Sequence, residues 1–350
     1  MNEMDIKEYE HQYSPSRWSH RLGQEAVIDA HVEVMKRGSQ IARETIECQT
    51  DLSYGLREKA KLDLFGAQTL PEDAPIFVYI HGGYWQFLGR ESSSFMVTPL
   101  AKAGAVVVTI GYTIAPEASM DEIVSEVKAA ITYVLQLAKK RGSSGVYLCG
   151  HSAGAHLAAM MLAVDWMGEQ MLNDSLIKGA LLVSGVYDIS PLVNTYVNDP
   201  LRMTESDACR LSPVTHLKNI IQHSMKRRIV VAVGQHDSPA FHIQSKEFDE
   251  ELRRGGVTSE LIDVPDTDHF DVIEKMSEEE YILTEAAVKM MGLNLDGVSE
   301  GFKQASLIVN CYCCSERHTY GILYSLKMDE FKLGHIPLPG GETVSAQTPA

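Results

Sequence analysis

The sequence predicts an α/β protein: a mainly parallel sheet with helices on both faces, followed by a C-terminal appendage. Three observations carry that prediction. Short runs such as residues 75–80 and 105–110 are continuously apolar, as strands covered on both faces must be. Between such runs lie segments of helix length whose apolar residues recur at i, i+3, i+4 and i+7. The two kinds of segment alternate along most of the chain, which is the rhythm of parallel strands joined by helical crossovers.

Taken in order, residues 1–60 are polar and charged and read as a helical lead-in, with a turn at Tyr13-Ser14-Pro15-Ser16-Arg17-Trp18 and two helix-like stretches after it. Lys61-Leu62-Asp63-Leu64-Phe65 alternates like a half-exposed strand. Residues 75–80 run as a buried strand straight into His81-Gly82-Gly83-Tyr84-Trp85. A helix around 93–103 precedes the strand at 105–110. Ile123, Val124, Val127, Ala130, Ile131, Val134, Leu135 and Ala138 then mark an amphipathic helix over 121–141, ended by Gly142. Further strands are expected at 146–149, 180–183, 229–233 and 260–264, with a helix over 244–254 before the last. The long crossover 184–228 carries a short helix near 214–221 and either covers a site or runs over the surface. Ligands of such a sheet bind at the carboxyl ends of its strands.

With 45% hydrophobic residues in 350, the chain can bury one large core, or a core plus an appendage. A formal charge of −16 argues against nucleic acid or an anionic membrane as partner. The start, Met1 to Glu8, has neither a basic region nor an apolar one, so no signal peptide is expected. No apolar run approaches the roughly 18 residues of a membrane span. Six cysteines, three of them crowded at Cys311, Cys313 and Cys314, do not form the framework of a secreted domain, so a cytoplasmic protein with reduced thiols is expected. Together with His318 these cysteines lack the usual Cys-x2-Cys pairs of a zinc site, and no metal is expected. Residues 1–292 are expected to be the main domain, and 293–350 an extension holding a hairpin across Leu307 to Tyr324 and then disorder.

The chemistry centres on Gly150-His151-Ser152-Ala153-Gly154, a serine between two glycines where a strand passes into a helix. Such a turn holds the serine strained and exposed, and glycine two residues to either side lets strand and helix cross closely. By itself the pattern is weak, because a serine capping a glycine-rich helix start looks the same. An acid and a base in the order Ser, Asp, His strengthen it. Asp237 lies just past the strand at 229–233 and His269 just past the strand at 260–264, so both reach the same edge of the sheet. Ser152, Asp237 and His269 are the expected triad: Ser152 attacks, His269 moves the proton and Asp237 fixes the imidazole. Asp188 also follows a strand; it is the weaker candidate for the acid and otherwise reads as a turn cap. His151 and His156 sit too close to Ser152 in sequence to serve it as base.

Gly82 and Gly83 leave a buried strand with no side chain in the way, so their amides and that of Ala153 are the expected oxyanion hole. His81 reads as the residue that shapes this loop. Tyr84 and Trp85 are expected to form an aromatic wall suited to a flat aryl substrate, with ordinary packing as the alternative. Phe241 and Phe270 are expected to pack nearby, with a place in that wall as the alternative.

These residues, together with Ser184-Gly185-Val186-Tyr187-Asp188, Asn198-Asp199-Pro200-Leu201-Arg202-Met203, Gly234-Gln235-His236-Asp237-Ser238-Pro239 and Asp268-His269-Phe270-Asp271, resemble the kynurenine formamidase (arylformamidase) family of α/β-hydrolases. The resemblance runs from about residue 8 to 292. The aromatic oxyanion loop and the Gln-His-Asp-Ser-Pro stretch are its specific parts, since the serine turn is common to many hydrolases. It implies the α/β-hydrolase fold, hydrolysis of N-formyl-L-kynurenine to L-kynurenine and formate in tryptophan breakdown, and no cofactor, with catalytic residues on Ser152, Asp237 and His269. The alternatives are a broader aryl esterase or amidase, and a non-catalytic binding protein on the same scaffold. Whether the chain pairs into a homodimer is left open, as is the residue that holds the amino-acid end of the substrate.

Overall fold

In the computed structural model, residues 3–295 are described. The expected hairpin, Cys311, Cys313, Cys314 and His318 lie outside them. Eight strands form one sheet: β1 (Cys48–Ser53), β2 (Lys61–Phe65), β3 (Ile76–Ile80), β4 (Val106–Ile110), β5 (Val146–His151), β6 (Ile177–Val183), β7 (Arg228–Gly234) and β8 (Thr258–Val264). Their order across the sheet is β1-β2-β4-β3-β5-β6-β7-β8. β1, β2 and β4 pair antiparallel, and every pair from β4 to β8 is parallel. The chain order reverses between β3 and β5, the switch point at which such sheets open a crevice beyond their carboxyl ends. Register brings those ends level, with Ile80 opposite Gly150, Gly150 opposite Leu182, Val183 opposite Ala232 and Gly234 opposite Val264.

The two faces of the sheet bury separate sets of side chains. Ile76, Val78 and Ile80 of β3 point into the layer that holds Ile123 and Val127 of the helix Met120–Arg141, and Leu157 of the helix Ala153–Leu162. Phe77 and Tyr79 point the other way, among Met35 of the helix Gln24–Thr45, Phe95 and Leu100. The helix Met120–Arg141 starts on a capping box formed by Ser119 and Glu122 and stops at Gly142, whose φ of 74° is left-handed.

Among the elements of the sheet and its flanking helices, the structure departs from the sequence-based expectations at β1, β2, the segment 93–103 and the helix before β8. β1 is a strand although CysGlnThrAspLeuSer is mostly polar; at the edge of the sheet it pairs with β2 alone and buries none of its residues fully. β2 is buried rather than half-exposed. Its Asp63 is fully covered and paired with Arg43 (3.0 Å) and Arg90 (3.1 Å), so the alternation marks a buried ion pair. The segment around 93–103 holds a short 3-10 turn, Arg90–Ser92, and then the helix Val97–Lys102. The helix expected at 244 begins at Pro239, where the ring's missing N–H costs nothing in the first turn.

Candidate active site

Ser152 sits between β5 and the helix Ala153–Leu162 with φ 54° and ψ −119°, a conformation that strains any residue with a β-carbon. The glycines around it are required by space. A β-carbon at Gly154 would lie 2.0 Å from the Ile80 carbonyl oxygen, and one at Gly150 would lie 2.1 Å from the Gly154 carbonyl oxygen. Strand and helix therefore cross as closely as the sequence pattern implies, and the helix amide of Ala153, in the first turn, has no acceptor within the helix.

His269 and Asp237 come from the loops after β8 and β7. The Nδ1–H of His269 donates to Oδ1 of Asp237 over 2.7 Å, with both side chains at most 4% exposed. That bond leaves Nε2 as the basic nitrogen, and His269 and Ser152 line one pocket of about 230 Å³. The second oxygen of Asp237 accepts from the Ser184 hydroxyl over 2.6 Å. Ser184, just past β6 with φ 46°, orients the Asp237 carboxylate, a contact that no local feature of the sequence signals. The rival Asp188 accepts from the Ser190 amide at 2.9 Å and caps a turn.

The imidazole loop is held from three sides. The Nε2–H of His151 donates to the His269 carbonyl (2.8 Å), and Phe241 meets the His269 ring edge-on at 4.7 Å. The preceding residue, Asp268, accepts from Ser19 (2.6 Å) and from Arg21 Nε (2.9 Å). Burial alone would push the Asp268 carboxyl up, but the Arg21 and Ser19 hydrogen bonds hold it well below the usual carboxylate range. The N-terminal lead-in thus pins the loop that carries His269, a link with no local signal in the sequence.

The glycines of the expected oxyanion loop are required by space. A β-carbon at Gly82 would lie 2.7 Å from the His151 carbonyl oxygen, and one at Gly83, whose φ is 93°, would lie 2.3 Å from that of Phe87. His81 is buried, stacks on Tyr112 at 4.2 Å, and lies off the pocket, which suits a residue that shapes the loop. Tyr84 lines the pocket and donates its hydroxyl to the Tyr13 carbonyl (2.8 Å). Trp85 does not, and this corrects the expected wall. With φ 58° the backbone turns its indole inward, where it is fully buried and meets His156 edge-on at 4.9 Å. Phe87, Phe270 and Tyr196 take its place around the pocket, so Phe270 is more than packing, whereas Phe241 is buried. Tyr196 belongs to the long crossover, which therefore reaches the site; the crossover's expected short helix is a 3-10 turn, Pro213–His216, followed by Leu217–Ser224. Pro15, Ser16, Ile28 and His31 bring the lead-in into the same wall.

Three buried imidazoles surround this centre as neutral groups. Burial pushes His81 and His156 down to about 4 from 6.5, and burial with the neighbouring His269 and His31 lowers His151 well below 6.5. Between these values the unfolded chain binds protons that the folded chain does not. Their stability contribution is therefore complete above pH 6.5 and is lost as pH falls toward 4. The unfolding free energy is expected to decline through that window, by up to about 1.4 kcal/mol per pH unit for each histidine. His156 donates Nε2–H to the Leu211 carbonyl (2.7 Å), a bond the glutamine amide can keep, so His156→Gln should flatten the slope by one proton's worth. Urea titrations at pH 7 and 5 measure this, and an unchanged slope would reject it.

Among the described residues, His20, His236 and Asp266 gather with candidate ligand atoms within 4.8 Å of one another. They lie toward solvent and outside the pocket, with the His20 and His236 rings 3.9 Å apart.

A serine on a strained strand-to-helix turn, an Asp–His pair on the next strand ends and a glycine loop opposite define an α/β-hydrolase. A family model described as the alpha/beta hydrolase fold matches residues 77–272. A solved structure of a candidate thioesterase from Silicibacter superposes with a TM-score of 0.64 at 26% identity, covering 79% of this chain and 98% of that one. The kynurenine formamidase of Danio rerio is 47% identical over 83% of this chain and 97% of its own length, and that of Salmo salar 46% over 83% and 98%. The chain belongs to the kynurenine formamidase family of α/β-hydrolases.

Proposed function

We propose that this chain hydrolyses N-formyl-L-kynurenine to L-kynurenine and formate through a formyl-serine intermediate. The observation that carries the reading is the buried 2.7 Å bond from His269 to Asp237 in a pocket shared with Ser152. Family membership narrows the substrate, and the aromatic surround of Tyr84, Phe87, Tyr196 and Phe270 suits an aryl amide.

Ser152 Oγ attacks the formyl carbon while His269 Nε2 takes its proton. The oxyanion of the tetrahedral intermediate is held by the amides of Gly82, Gly83 and Ala153. The C–N bond then breaks, and His269 returns the proton to the departing arylamine nitrogen. Water, deprotonated by His269, attacks the formyl ester; formate leaves and the proton returns to Ser152. Formyl is the smallest acyl group, so recognition falls on the aryl side, and no step calls for a cofactor.

We assign this activity to residues 1–292 and to the cytoplasm. Cys48, Cys149 and Cys209 are free, and among the described residues no helix is long and apolar enough to cross a membrane. The charge of −16 speaks for a small-molecule substrate over nucleic acid.

Wild-type kcat/KM for N-formyl-L-kynurenine is expected to exceed that for phenyl acetate by at least about tenfold, because only the former fills the aryl and amino-acid sides of the pocket. Turnover of the ester alone would make the chain a broad aryl esterase.

A further inference from the structure

One imidazole in the pocket wall has no part in the reaction derived above. His31, on the helix Gln24–Thr45, is 3% exposed and lines the same pocket as Ser152, His269 and Phe270. Its Nδ1 lies 2.7 Å from Oε1 of Glu274, a side chain that is itself 6% exposed. A carboxylate accepts, so Nδ1 carries a proton and the ring's remaining nitrogen is Nε2. Nε2 has no protein partner among the described residues, although Nδ1 is fully engaged.

The ring is fixed as well as free at one end. Phe270 meets it edge-on at 5.2 Å, and its centroid is 6.3 Å from that of His151, the neighbour of Ser152. Behind it, Glu274 also faces Arg21 at 3.5 Å, Arg21 binds Asp268, and Lys275 binds Asp271 at 2.9 Å. Three carboxylates here face two cations. One negative charge is left over on the Glu274 side of the ring.

We propose that His31 is the carboxylate-binding residue of the pocket. As an imidazolium it bridges Glu274 through Nδ1–H and the α-carboxylate of an amino-acid substrate through Nε2–H, a charge-assisted bond at each end. The assignment deepens the formamidase reading and rests on it: it names the group that selects an aryl formamide bearing an amino-acid side chain over a plain one. The substrate's formyl end then lies at Ser152 and its charged end at the N-terminal lead-in, with the arene between them along Phe270.

The test compares N-formyl-L-kynurenine with N-formylkynuramine, which keeps the formamide, the aryl ketone and the amine and lacks only the carboxylate. In His31→Asn the side-chain amide can still donate to Glu274 but presents nothing at the Nε2 position; in His31→Gln the amide reaches that position. His31→Asn is expected to lower kcat/KM for N-formyl-L-kynurenine by about 10- to 100-fold, mainly through KM, and that for N-formylkynuramine by at least about fivefold less. His31→Gln should fall between wild type and His31→Asn on the first substrate. Turnover of N-formylkynuramine serves as the control for folding. Equal losses on both substrates would mean that His31 acts through Glu274 and the His269 loop, and would overturn the assignment, as would no loss on either. A wild-type enzyme that hydrolyses both equally well overturns the role of His31 alone; one that hydrolyses neither overturns the formamidase reading beneath it.

Discussion

Replacing Ser152 with alanine is expected to lower kcat for N-formyl-L-kynurenine by about four to six orders of magnitude while leaving the fold intact. The hydroxyl is the formyl acceptor in the proposed mechanism, and no other hydroxyl shares its position on the turn between β5 and the following helix. Alanine tolerates φ 54° no worse than serine does, so the thermal midpoint of Ser152→Ala should match wild type. A trace of turnover above water is expected to remain, supplied by the oxyanion amides and by binding. A fluorophosphonate probe should label the wild type and not the variant. A variant that keeps more than a few per cent of the wild-type rate would remove Ser152 as the nucleophile, and an unlabelled wild type would favour a binding protein on a hydrolase scaffold.

The second large effect is expected at Asp237. Its two oxygens have separate duties, one accepting from His269 Nδ1–H at 2.7 Å and the other from the Ser184 hydroxyl at 2.6 Å. In Asp237→Asn the amide NH2 must face one of them. Facing His269, it forces the imidazole proton onto Nε2 and abolishes the base. Facing Ser184, it leaves the imidazolium of the transition state without its counter-charge. Either way kcat should fall by about 10⁴-fold with KM little changed. Because the amide replaces the carboxylate at nearly equal volume, the fold should hold, as a circular dichroism melt would register. A loss of less than about tenfold would require the acid to be another carboxylate, and Asp188, bound to the Ser190 amide, would be the first to examine.

Much of this centre is legible in the chain because it depends on local chemistry at strand ends. Buried parallel strands announce themselves as apolar runs, and the residues just past such a run stand at the carboxyl edge of the sheet. That rule alone places Ser152, Asp237, His269 and the Gly82-Gly83 loop on one edge. The glycines at 150 and 154 are readable for the same reason, since the closeness of the crossing they permit is a property of the turn itself.

The illegible part depends on backbone direction and on distant partners. Tyr84 and Trp85 are adjacent aromatics with left-handed φ of 48° and 58°, yet one lines the pocket and the other is sealed in the core. Residue type does not say which way a strained loop turns. Asp63 reads as a solvent-facing residue because nothing near it in sequence reveals Arg43 and Arg90. Ser184 lies 53 residues from Asp237 and Arg21 247 from Asp268, and nothing local in either stretch names its partner.

The sequence by itself therefore determined the parallel sheet, the serine turn, and the order of acid and base, because each depends on the periodicity and conformational limits of a few consecutive residues. Only the tertiary structure decided what surrounds them. The N-terminal lead-in folds back to bring His31 into the pocket wall and Arg21 to Asp268, and Ser184 reaches the second oxygen of Asp237. These contacts form between segments far apart in the chain, where packing of the whole core, and no local propensity, sets which side chains meet.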